Sequence, residues 1–127
     1  MIVVDASAAL SGLLNDGPAR RALAVEQLHA PHLIDSEVAN GLRCSVVAQR
    51  LDASAGWTAL DVLRRLGMTR YPVFPLLERV WELRDNVSAY DACYVALAEF
   101  LGCSLLTANA RLGLAPGIRC PVTVLPR

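Results

Sequence analysis

The chain opens on a β-branched apolar run, "MIVV", that stops abruptly at Asp5, a pattern that predicts a short strand buried in a parallel sheet. "ASAALSGLLN" then turns into a helix, with Asp5 or Ser7 near its cap and Gly17-Pro18 closing it. Pro18 suits the first position of a second helix running to about Leu28, and "APHLI" reads as a brief extended stretch. Asp35 or Ser36 is expected to cap the next helix, where Val38, Leu42, Val46 and then Gln49 recur at helical spacing and Arg43 and Arg50 mark the outer face. Residues 53–66 form an amphipathic pattern with Trp57, Leu60, Leu63 and Leu66 on the buried side, ended by Gly67.

"MTRYPV" alternates like a strand, "PLLERVWELRDN" is helical after Pro75, and "SAYDACYVALAEFLG" is the next helix, one that apart from its aspartate reads as protein interior. "SLLT" and "VTVLP" are two further short strands, the first leading into a helical turn at "ANARLGL". Strands alternating with helices imply an α/β fold whose parallel sheet is covered on both faces.

Composition narrows this picture. At 127 residues, with 54% hydrophobic and only 6% aromatic content and no repeat or linker, the chain is expected to be one domain, 1–127, with an aliphatic core. No apolar run approaches the ~18 residues of a membrane span, and "MIVVDAS" lacks a basic flank, so a cytoplasmic protein without a membrane partner is expected. Twelve cations balance twelve acids, which argues against a general nucleic-acid coat. Every cation is Arg, however, and its planar fork suits phosphate. Cys44, Cys93, Cys103 and Cys120 show no zinc-ligand spacing and read as free thiols or small hydrophobes. His29 and His32 receive no role.

The acids fall where such folds place ligands, beyond the carboxyl ends of the strands. Asp5 follows the first strand, Asn109 follows "SLLT", and Glu37 and Asp91 stand in the first turns of two expected helices. Each acid also has a purely structural reading, as a helix cap or as a first-turn charge favoured by the helix dipole. If they converge, carboxylates in one cleft repel unless a cation joins them, and an oxygen-only donor set selects Mg²⁺ or Mn²⁺. Such a site activates water against a phosphodiester.

"MIVVDASAAL", "PHLIDSEVANGL", "SAYDACYVALAE" and "LLTANARL" resemble the four blocks of a PIN domain, and their spacing is most similar to the VapC toxins of bacterial toxin-antitoxin pairs. The resemblance implies a three-layer α/β/α fold with a short, mostly parallel sheet. It implies a Mg²⁺-dependent endoribonuclease, Mn²⁺ being an alternative ion, that forms a homodimer and is inhibited by a VapB-type antitoxin. It carries the catalytic and metal roles to Asp5, Glu37 and Asp91, and polar supporting roles to Ser7 and Thr107. Arg111, close to the expected pocket, is the candidate phosphate contact.

One position departs from the pattern: Asn109 stands where the family generally has Asp, so a formal charge is missing from the expected metal set. That leaves a second reading open, a catalytically weakened PIN domain serving as an RNA- or antitoxin-binding module. A flap-type DNA nuclease would share the acids, but the short chain offers no extra arch or clamp.

Overall fold

The computed structural model describes residues 1–126, so Arg127, the last residue of the expected span, lies outside the described part. Five strands form one sheet: β1 (Ile2–Val4), β2 (Leu28–Pro31), β3 (Thr69–Tyr71), β4 (Ser104–Thr107) and β5 (Val122–Val124). Their order is β3-β2-β1-β4-β5, and every pairing is parallel, rather than mostly so. The chain steps from β1 outward to β3, then crosses back to β4 on the other side of β1. Right-handed crossovers therefore put the helices of the outward run on one face and those of the return on the other, a three-layer α/β/α arrangement.

The outward run contains α1 (Ala6–Leu14), α2 (Pro18–Val25), α3 (Leu33–Val47) and α4 (Ala53–Arg65). The return contains a 3₁₀ turn (Phe74–Leu76), α5 (Leu77–Glu82) and α6 (Ala89–Leu101), and α7 (Ala110–Leu114) joins β4 to β5. Val3 and Val4 in the central strand are fully buried, as are Ala92, Val95 and Ala98 of α6, which packs across β1, β2 and β4. Burying one such aliphatic side chain contributes roughly 1.5–3 kcal/mol, which explains why β1 and α6 tolerate so little polarity. Gly102 closes α6 in the left-handed region at φ 66°, where a Cβ would be strained.

Several boundaries differ from the periodic reading. The second helix ends at Val25, and Leu28 already belongs to β2, because Leu28 pairs with Ile2. The third helix starts at Leu33, so neither Asp35 nor Ser36 caps it; Asp35 instead makes a two-pronged ion pair with Arg70 at 2.7 and 2.8 Å. Trp57 is 56% exposed rather than buried, with the Arg64 guanidinium over its ring. The inner face of α4 is made by Gly56, Ala59 and Leu63, small enough for close approach to α1 and α3.

Candidate active site

The sheet order reverses between β1 and β4, the place where open parallel sheets hold ligands beyond the strand ends. Asp5 sits at that point, only 4% exposed. Its Oδ1 accepts from Ser7 Oγ at 2.7 Å and from the Ala8 amide at 2.9 Å, and its Oδ2 accepts from the Thr107 hydroxyl. Asp5 is thus the N-cap of α1 and a buried charge at once. Ser7 Oγ in turn accepts from the Ala108 amide at 2.9 Å, and Thr107 Oγ1 accepts from the Asn109 amide at 3.0 Å. The turn after β4 is therefore held onto the turn after β1.

Asp91 is not the cap of α6. Ser88 is, its hydroxyl accepting from the Asp91 amide at 3.1 Å, which leaves the Asp91 carboxylate free of that duty. Glu37 lies in the second turn of α3 rather than the first, since the helix begins at Leu33. Its Oε1 accepts from the Tyr94 hydroxyl at 2.5 Å, a bond that spans the two helical layers. Tyr94, 1% exposed and one turn after Asp91, adjoins the candidate site although the sequence pattern gave it no role.

Electrostatics couple the acids. Burial raises the Asp5 pKa above the ordinary carboxylate value, while the hydroxyls of Thr107 and Ser7 and the amides of Ala8 and Ser7 oppose the rise. Glu37 is raised by burial first, opposed by the Tyr94 hydroxyl and reinforced by the charges of Asp91 and Asp5. Asp91 is raised by burial and then by Asp5, the Ser88 hydroxyl working the other way. The Tyr94 phenol is pushed far above its usual range by burial and by its bond to Glu37, so it stays a donor at any physiological pH. Burial disfavours the charge on all three acids, Asp5 adds to the rise at Glu37 and Asp91, and a nearby cation would offset both effects.

Among the described residues, no three His, Cys, Asp or Glu side chains stand close enough to enclose an ion by themselves. The shared three-acid ion site expected from the sequence is therefore not assembled by these side chains alone, and an ion of Mg²⁺ type would need water or substrate phosphate as further ligands. Asn109 is the N-cap of α7, its Oδ1 accepting from the Arg111 amide at 3.1 Å. Arg111 itself projects from the exposed first turn of α7. All four cysteines are free.

The model of the PIN domain family matches residues 2–117. The chain belongs to the PIN-domain family. It is 60% identical over 127 residues to Ribonuclease VapC9 of Mycobacterium tuberculosis (strain ATCC 25618 / H37Rv), covering 100% of both chains. It is 42% identical over 128 residues to Ribonuclease VapC1 of the same strain, covering 97% of this chain and 96% of that one. This PIN domain is accordingly of VapC type. Its fold is shared by the crystal structure of PAE2754 from Pyrobaculum aerophilum, with a TM-score of 0.73, 25% identity, and coverage of 95% of this chain and 81% of that one. No helix of the PIN domain is long and apolar enough, among the described residues, to cross a membrane.

Proposed function

We propose that this PIN domain, one functional unit spanning 1–127, is the toxin of a type II toxin-antitoxin pair and an endoribonuclease that uses a divalent metal ion, Mg²⁺ in the cell. The observation that carries the reading is the coupled set of Asp5, Glu37 and Asp91 at the sheet's switch point. Full-length 60% identity to a protein named a ribonuclease supports it. Asp5, Glu37 and Asp91 hold the ion, directly or through its water, with Asn109 contributing its amide oxygen only if α7 releases it. The ion, when bound, lowers the pKa of water and neutralises charge developing on phosphate.

The remaining work falls to the chain. Ser7 and Thr107 fix the Asp5 carboxylate, and Tyr94 fixes Glu37, so neither acid swings away when phosphate approaches. Asp91, with no capping duty, has a carboxylate free to hold the ion's water or to take a proton from it. Arg111 offers a charged fork to the RNA backbone at the rim. The partners are a VapB-type antitoxin, whose basic side chain would be drawn to the same acids, a second copy in a homodimer, and cytoplasmic RNA.

The capping bond of Asn109 favours a second reading, in which the domain binds RNA or antitoxin but cuts slowly, because this residue's oxygen is engaged on α7. Incubating defined RNAs with the chain and with Asn109→Asp, in Mg²⁺ or Mn²⁺, separates the two. Cleavage by the parent that disappears in Asp91→Ala supports the nuclease. Retained RNA or antitoxin binding with cleavage only in Asn109→Asp establishes the module.

A further inference from the structure

A cavity of about 580 Å³ lies between the end of α1, the start of α2 and the segment that follows β5, and the nuclease reading leaves it unused. Polar residues Ser11, Asn15 and Asp16 line it together with the apolar surfaces of Pro18 and Pro126. It adjoins the acids. Ala108 in its wall donates to Ser7 Oγ, which donates to Asp5, and Ser11 lies one helical turn, about 6 Å along the axis, beyond Ser7 on the same face of α1. Asn15 and Asp16 are exposed, and their side chains make no hydrogen bond to another described residue.

The charge of the lining selects the ligand. Asp16 is its one ionised group among the described residues, so phosphate is disfavoured and a group that donates hydrogen bonds is favoured. The volume falls within the range of small-molecule sites, and proline surfaces suit the faces of a planar ring. We propose that this cavity is a base-recognition subsite for the nucleotide beside the scissile phosphate, and that it takes guanine. Guanine presents two adjacent donors, N1–H and the exocyclic N2–H, on its Watson–Crick edge, which match the two oxygens of one carboxylate such as Asp16. Its O6 accepts from a carboxamide such as Asn15. Unstacked bases of single-stranded RNA are read by this kind of edge contact.

The word "scissile" rests on the nuclease reading, but the test of the pocket does not. The full-length, metal-free chain is titrated with guanosine, adenosine, cytidine and uridine, nucleosides that carry no phosphate for the acids to repel, while backbone amide NMR signals are followed. Guanosine should move the signals of Ser11, Asn15, Asp16 and Ala19, and bind about tenfold tighter than adenosine, a ratio worth about 1.4 kcal/mol. Asp16→Asn should bring guanosine down to the adenosine level without changing the thermal midpoint, because Asp16 is exposed. Equal shifts from all four nucleosides, signals that stay still, or guanosine binding unchanged in Asp16→Asn would each overturn the subsite. Parallel cleavage of RNAs that vary the nucleotide flanking the cut keeps the two ideas apart. RNA cut without guanine preference and a silent cavity remove the subsite alone, whereas guanosine bound in the cavity with no RNA cut removes the nuclease alone.

Discussion

The hydroxyl of Thr107, at the end of β4, donates to Oδ2 of Asp5, just past the end of β1, and so joins the two strands between which the sheet order reverses. Thr107 is fully buried, and the bond satisfies one oxygen of a carboxylate that burial makes costly. Thr107→Val keeps the shape and removes the donor. It should cost on the order of 1–3 kcal/mol in unfolding free energy and lower RNA cleavage about ten- to a hundredfold, while Thr107→Ser retains most of both. Denaturant melts and single-turnover cleavage read the two effects, and a fully active Val variant would remove Thr107 from the site.

Asp91 carries a cost that function explains. Its carboxylate is half-buried beside Asp5 and Glu37, so the charge is repelled in the folded chain and relieved on unfolding. Asp91→Asn should therefore raise the stability of the metal-free protein at pH 7. After discounting for solvent screening, the gain is on the order of 1 kcal/mol, or a few degrees in Tm. The same variant should abolish cleavage. Calorimetry and an RNA assay on one preparation decide it; a destabilised variant would mean that Asp91 holds the fold rather than the chemistry.

That gain depends on pH in a definite direction. The folded pKa of Asp91 lies above its unfolded value near 3.8, so between the two the folded chain binds more protons than the unfolded one. Stability from this group is greatest below the unfolded pKa and declines as pH rises through the folded pKa. The advantage of Asp91→Asn over the parent should accordingly shrink as pH falls from 7 through the folded pKa, because the parent's own carboxylate becomes neutral there. Taking the difference cancels His29, whose pKa is lowered chiefly by burial and which loses stability over the same acid range in both proteins. A difference in Tm that holds constant down to pH 4 would exclude a carboxylate raised by burial and by Asp5.

Position 109 offers a test of the proposed metal site. Asp caps helices as well as Asn does, so Asn109→Asp should keep α7 in place while adding a charge near the acids. Divalent affinity is expected to tighten about tenfold, with Mn²⁺ bound more tightly than Mg²⁺ by both proteins, as the affinity order for such ligands suggests. Titration calorimetry compares the two chains, and equal affinities would show that residue 109 serves only α7.

The sequence determined the alternation of strands and helices, the parallel character of the sheet, and the places of Asp5 after β1, Asp91 in the first turn of α6 and Asn109 after β4, because each rests on local pattern, whereas Glu37 stands one turn later in its helix than that pattern suggested. An apolar run between turn residues is a buried strand, and a charge at its end stands where ligands bind. On α4 the periodicity rightly placed Leu63 in the core with Leu60 and Leu66 packed against it, but that Trp57 turns outward while Gly56 and Ala59 are buried was not legible, since only the closeness of α1 and α3 selects small residues there. The start of α3 was hidden for a similar reason: Asp35 has the chemistry of a cap, but Arg70, 35 positions away, claims its carboxylate. Tyr94 drew no attention in the sequence because one aromatic among apolar neighbours carries no local sign of a partner; its hydroxyl reaches Glu37, 57 positions away, only in the folded chain. The division of labour between Ser88 and Asp91 was equally a tertiary matter. A cap is a local hydrogen bond that either residue type can make, whereas repulsion among Asp5, Glu37 and Asp91 exists only once three distant segments are folded against one another.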